Sequence, residues 1–195
     1  MQMITGLFDN HADARRAVSA LESEGVPSSD ISIVGRGEES DSNASEGAAA
    51  GAGLGAVVGG TGGLLAGLGM MAIPGIGPVV AAGWLASTLA GAAAGAAAGG
   101  VAGGLIGALT GDGVSEEDAH VYAEGVRRGG TLVTARVADN LAPAARAVLS
   151  SDAAVDIARL REIYTGEGWT RFDESNPDYT EEEIAAERLR LRNLR

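Results

Sequence analysis

From Gly47 to Gly111 the chain carries no charged residue, and small residues recur there at every fourth position. One ladder is Gly51, Gly55, Gly59, Gly63 and Gly67. A second is Gly83, Ser87, Gly91, Gly95, Gly99, Gly103, Gly107 and Gly111. On an α-helix, residues four apart sit one turn above each other, so each ladder is a strip on which another backbone can approach closely. Pro74-Gly75-Ile76-Gly77-Pro78 separates the ladders, and this mixture of proline and glycine breaks helices and makes turns. The spacing predicts a helical hairpin with arms over 47–71 and 79–111, about 37 and 50 Å long.

Such arms are weak helices by themselves. About seventeen interior glycines, at roughly 1 kcal/mol each relative to alanine, oppose the helix by about 15 kcal/mol. That equals or exceeds the net stability of a typical domain. Neither arm has a polar face, and a helix apolar on all sides is buried in protein or in lipid. Two readings stay open. In one, hairpins from several copies pack on each other in a homo-oligomer, with Leu64, Leu65, Leu68, Val80, Leu85, Leu89, Leu105 and Ile106 filling the spaces between ladders. In the other, the hairpin enters a membrane and oligomerises there. Arms of this length could cross a hydrocarbon core of roughly 30 Å. Against lipid, the flanks are acidic rather than rich in Lys or Arg.

The rest of the chain excludes several partners. Net charge is −12, and every acidic residue lies outside 47–111. Nucleic acid is not an expected partner, because phosphate binding requires clustered positive charge. The 14 basic residues are all arginine, and there is no cysteine, which removes disulfide and thiolate chemistry. The N-terminal residues lack a charged leader with a following apolar run, so the cytoplasm is the expected compartment, with the cell membrane as the alternative.

An internal repeat brackets the glycine-rich segment. Asp9-Asn10-His11-Ala12-Asp13-Ala14-Arg15-Arg16-Ala17-Val18 and Asp139-Asn140-Leu141-Ala142-Pro143-Ala144-Ala145-Arg146-Ala147-Val148 share D-N-x-A-x-A-x-R-A-V. Each copy lies between strand-like runs, 3–8 and 31–34 in the first half, 132–137 and 155–158 in the second. Asn10 and Asn140 are placed to cap helices. Ala14, Ala17, Val18 and Leu21 form one apolar face, and Ala144, Ala147 and Val148 are expected to form its counterpart. Ile31 and Ile33 alternate with Ser32, and Val133, Ala135 and Val137 alternate with Thr134 and Arg136, as in strands with one buried face. Two βαβ halves in one sheet predict an α+β fold, a ferredoxin-like sandwich with the helical hairpin inserted between its halves.

A further helix is expected over 115–128, with Ser115 as cap, Glu116, Glu117 and Asp118 in its first turn, and Ala119, Tyr122, Ala123 and Val126 as its apolar face. Thr180 and Glu183 form a capping box before a C-terminal helix. That helix reads either as solvated or, through Ile184, Leu191 and Leu194, as a docking arm for another subunit. Trp169 and Phe172 would anchor the tail. The expected parts are 1–37, a first βαβ half; 38–46, an acidic linker; 47–111, the hairpin; 112–161, a helix and second βαβ half; and 162–195, the tail.

Catalytic chemistry finds little support. Gly51-x-Gly53-x-x-Ala56 and Gly67-x-Gly69-x-x-Ala72 match a dinucleotide fingerprint in letters, but no strand is expected before them and no acid follows about twenty residues on. No cofactor is expected. His11 and His120, the two histidines, lack spaced co-ligands for zinc and are expected to be exposed. The acidic run at 116–118 reads as a helix start rather than a cation site. No nucleophile has a base beside it, so neither an enzyme nor a small-molecule substrate is expected.

Residues 3–36 resemble the N-terminal module of bacterial general-stress proteins of the YflT type. A strand ending in Phe8-Asp9 leads into an alanine-rich helix and then a short strand ending Ile33-Val34-Gly35. The resemblance extends to the glycine-zipper segment at 51–111, to a second half around Gly129-Gly130-Thr131-Leu132-Val133, and to the tail from Gly168-Trp169-Thr170 through Glu183. It implies a role in stress response, without a reaction and without catalytic residues. Self-assembly through Gly51, Gly55, Gly59, Gly63, Gly67, Gly83, Gly91, Gly95, Gly99, Gly103 and Gly107 is the expected function.

Overall fold

The computed structural model describes residues 1–36, 69–73, 75–95 and 104–192. The described chain is α+β. Its strands are β1 (Gln2–Phe8), β2 (Ile31–Gly35), β3 (Gly69–Ile73), β4 (Gly77–Gly83) and β5 (Thr131–Val137). Its helices are α1 (His11–Ser23), α2 (Trp84–Gly95), α3 (Gly104–Gly111), α4 (Glu116–Arg127), α5 (Ala142–Leu149), α6 (Ile157–Gly166) and α7 (Glu181–Arg192). The five strands form one sheet in the order β1-β5-β2-β4-β3, and every neighbouring pair is antiparallel. β1 and β2 therefore run the same way, with β5 reversed between them.

The local chemistry of α1 follows its sequence. Asn10 has extended backbone angles and accepts from the Asp13 N–H at 2.8 Å, which satisfies one orphan donor of the first turn. Ala14, Ala17, Val18 and Leu21 are all buried. The second copy of the repeat departs from this. Pro143 stands where Asp13 stands and has no N–H for Asn140 to hold. The helix begins at Ala142 with Leu141 at its N-cap and no side-chain cap. Its buried residues are consequently Ala142, Ala145 and Leu149, not Ala144 and Ala147.

Both faces of the sheet are covered, which corrects the expectation of one-sided strands. Ile4, Phe8, Ile31, Ile33, Val133, Ala135 and Val137 pack against α1 and α5. Leu7, Val34, Leu132, Val79 and Ala81 pack on the other side with Leu85 and Leu89 of α2, Leu105 and Leu109 of α3, and α4. Ser32 and Thr134, expected to face water, are fully buried. They stand in one cross-strand row, Thr5 opposite Thr134, Thr134 opposite Ser32, and Ser32 opposite Gly83.

The long helical hairpin is not what the described residues form. Residues 69–83 make a β-hairpin that extends the sheet beyond β2, turning through Gly75 (φ 73°) and Gly77 (φ 91°). Gly75-Ile76 of the Pro/Gly cluster is thus a turn as expected, but between strands, with Gly77 and Pro78 opening β4 and Pro74 outside the described residues. The second arm is divided as well, since α2 and α3 are separate helices that pack on each other. At 1.5 Å per residue they are about 18 and 12 Å long. Among the described residues no helix is long and apolar enough to cross a membrane. Gly51, Gly55, Gly59, Gly63, Gly67, Gly99, Gly103 and the linker at 38–46 lie outside the described residues.

The strand expected at 155–158 is also replaced. Only Ala154 bridges β1, at Phe8. Asp156 then caps α6, accepting from the Ala158 and Arg159 N–H groups at 2.9 and 3.2 Å. Helix α6 crosses the expected boundary at 161/162, so the tail proper starts after Gly166.

Candidate self-assembly surface

The surface is built from α2 and α3. β4 passes into α2 through Gly83, whose φ of 86° belongs to the left-handed region. A Cβ there would stand 2.1 Å from the Ile31 carbonyl oxygen. The Ser32 Oγ, fixed on β2, accepts from the Leu85 N–H at 2.9 Å and so caps α2 from the neighbouring strand. Spacing alone makes Gly83 a rung of the ladder. The structure makes it a strand-to-helix turn, required by its own chain.

Leu85, Leu89, Leu105 and Leu109 turn inward and are buried. Ser87, Thr88, Gly107 and Gly111 lie on the exposed side. The exposed hydroxyls bond within their own helices, Ser87 and Thr88 to the Trp84 carbonyl at 2.7 and 3.0 Å. Such back-bonding leaves little polar demand on the outer surface. Gly104 faces α2, and a Cβ there would make only ordinary contact with Leu89 Cδ2, at 3.5 Å. Gly107 and Gly111 differ, since an added Cβ would meet nothing within 4 Å among the described residues. Of the other ladder residues, Gly91 and Gly95 fall within α2.

One polar cluster holds this unit to the body, and a second holds the C-terminal arm. Arg136 of β5 stacks 3.6 Å over the Trp84 ring, at the start of α2, and pairs with Asp112, just after α3, at 2.5 Å. The second cluster sits under the C-terminal arm. Glu124, fully buried on α4, accepts from Arg127 Nη1 at 3.1 Å and Arg128 Nε at 2.7 Å. Arg128 also reaches Glu167 at 3.0 Å and Glu187 at 3.4 Å, and lies 4.0 Å over the Tyr164 ring. Burial alone would lower the Arg128 guanidinium, but its bond to Glu124 and the surrounding negative charge hold it above its ordinary value. Burial pushes the Glu187 carboxyl up, partly countered by Arg128. Burial likewise carries the Tyr164 phenol far above its usual range.

This arm docks on its own chain through one side, Ile184 and Glu187, while Glu181, Glu182, Glu183, Ala185, Ala186 and Leu189 are exposed as the solvated reading expects. Ile184 is 1% exposed and meets Gly129, where even a Cβ would come within 2.3 Å of its Cγ2. The capping box forms as expected, with the Thr180 N–H donating to Glu183 at 2.8 Å. Arg127 and Arg188 bond the Pro177 and Gly129 carbonyls, each at 2.9 Å. Trp169 and Phe172 pack on the second core cluster. The sequence concealed this docking because its anchors are arginines on α4 rather than an apolar stripe on α7.

The other polar candidates have structural employment. Ser115 caps α4 through the Asp118 N–H, and Arg161 pairs with Glu117 at 3.2 Å and with Asp118. Burial, with Asp118 beside it, pushes the Tyr122 phenol up to about 12. His11 is buried on α1 rather than exposed, and His120 Nε2 lies 4.0 Å from Glu116. Among the described residues no group of His, Cys, Asp and Glu is placed to hold a metal ion. The chain matches no protein-family model, and no curated protein and no solved structure is significantly similar to it.

Proposed function

We propose that this chain is a non-enzymatic stress-response protein that assembles with copies of itself through its glycine-rich helices. The reading rests on Gly107. A glycine inside a helix costs about 1 kcal/mol relative to alanine unless close packing requires it. On α4 that requirement exists within the chain, for a Cβ at Gly125 would meet Leu7 Cδ2 at 2.5 Å. A Cβ at Gly107 would meet nothing within 4 Å among the described residues. A glycine on the exposed side of a helix, with no such contact among the described residues, suits close approach by another backbone. Gly111 lies one turn further along the same exposed side.

The body is best read as a ferredoxin-like sandwich with an extended sheet. β5 lies between the parallel β1 and β2, α5 follows β5, and Ala154 begins the position of a fourth strand outside β1. The β3–β4 hairpin adds two strands at the far side. The stress-response part of the reading rests on the resemblance of residues 3–36 and 119–158 to YflT-type proteins. Light scattering on detergent-free protein tests the assembly. Particles of several times the 19.4 kDa chain mass, reduced by Gly95→Leu, are expected. A wild-type particle of chain mass contradicts the reading.

A further inference from the structure

Beyond Leu7 the outer edge of β1 lacks a neighbouring strand among the described residues. Ala154 bridges Phe8 in the antiparallel sense, and the Val155 N–H donates to the Leu7 carbonyl at 2.8 Å. Strand alternation turns the Thr5 N–H and carbonyl the same way as those of Leu7, away from β5. The chain does not continue along them, because Asp156 diverts it into α6. A cavity of about 410 Å³ opens in the angle, lined among others by Thr5, Gly6, Tyr122, Ser150, Asp156 and Ile157. Thr5 Oγ1 is buried without a hydrogen-bond partner. The Thr5 carbonyl accepts from the Tyr122 hydroxyl at 3.4 Å, long for such a bond.

We propose that residues 155–158 form a strap with two seats. One is the first turn of α6. The other is an edge strand that continues the Ala154–Phe8 bridge, with Asp156 opposite Gly6, Ile157 opposite Thr5 and Ala158 opposite Ile4. The side-chain pattern already fits the second seat. Ala154 packs with the core cluster of Phe8, and Val155 and Ile157 with the cluster of Leu7, the alternation of a strand. Val155 and Ile157 are β-branched, which favours extended backbone. Closing the strap gives the Thr5 N–H and carbonyl a backbone partner in Ile157 and fills the cavity. It removes the two cap bonds of Asp156 and one turn of helix. The strap therefore decides whether the β1 edge is covered or open to pairing with another strand.

The balance can be moved from either side. Asp156→Val removes the cap and favours the strand. Asp156→Ser keeps a capping oxygen. Ile157→Pro occupies the first helical position, where proline is well accepted, and deletes the N–H that the edge strand requires. Asp156 already has the extended backbone (φ −70°, ψ 110°) that a following proline needs. Amide exchange and Cα chemical shifts, read by NMR on the full chain, test the idea. In Asp156→Val the Thr5 amide should exchange at least tenfold more slowly, and the Ile157 and Ala158 shifts should turn from helical to extended. Asp156→Ser should leave both near wild type, and the double variant Asp156→Val/Ile157→Pro should lose the added protection. Unchanged or faster Thr5 exchange in Asp156→Val, with residues 157–160 merely frayed, overturns the proposal. So does protection that persists in the double variant.

Discussion

The guanidinium of Arg136 lies 3.6 Å from the centre of the Trp84 ring. The same group pairs with Asp112, so one side chain of β5 holds both ends of the α2–α3 unit. Stacking of this kind contributes about 0.5–2 kcal/mol, and the half-exposed ion pair adds less. Arg136→Gln should lower stability by roughly 1–2 kcal/mol in urea unfolding. It should also speed proteolysis between residues 84 and 112 more than elsewhere. A uniform increase along the chain would deny Arg136 this local role.

The glycines separate by environment. Gly83→Ala forces a left-handed residue against the Ile31 carbonyl, and should destabilise by roughly 3 kcal/mol or more. Gly125→Ala pushes on the buried Leu7 side chain and should cost about 1–3 kcal/mol. Gly107→Ala meets open space among the described residues and should stabilise the isolated subunit by up to about 1 kcal/mol. Denaturant midpoints at a dilution that leaves single chains would rank the three variants.

Glu124 and Glu187 are both carboxylates against Arg128, yet they should respond in opposite ways. Glu124 is fully buried between two arginines, and Glu124→Ala leaves those charges short of a partner, at a cost of about 3–5 kcal/mol. Glu187 has a folded-state pKa raised by burial, although Arg128 and Arg190 face it from α4 and α7. A raised pKa means that the folded state takes up the proton more readily. Its stabilising contribution is therefore present at low pH and is lost as pH rises through the folded pKa. Glu187→Gln should leave stability at neutral pH equal or higher, and the wild-type and variant profiles should converge on acidification. Asp173 and Glu183 have lowered values, from hydrogen bonds with Ser175 and Thr180, and act in the opposite sense. A Glu187→Gln protein that is less stable at pH 7 would rule this balance out.

The parts of the fold legible in the sequence are those governed by neighbours in the chain. Asn10 and Ser115 cap α1 and α4, and Thr180 with Glu183 starts α7. The β3–β4 hairpin was hidden for two reasons. Its strands are rich in Ala, Gly and Met, so they lack the alternation that marks a half-exposed strand. The period of four also takes Gly83 as its first rung, although the backbone changes from strand to helix there. Burial of Ser32, Thr134 and His11 depends on elements distant in sequence, which no local pattern reports. For the proposed assembly surface, spacing identified Gly107, but only the open space around its Cβ among the described residues separates it from Gly83 and Gly125, whose reasons are internal.

The most direct test of self-assembly is the particle mass of wild type and Gly107→Leu by size exclusion with light scattering, over a range of concentrations and without detergent. The account predicts a multiple of 19.4 kDa for wild type. It predicts a smaller mass for Gly107→Leu at unchanged circular dichroism, because a Cβ at this exposed position meets nothing within 4 Å among the described residues. Equal masses for the two proteins, or a wild-type chain that stays single at every concentration, would contradict it.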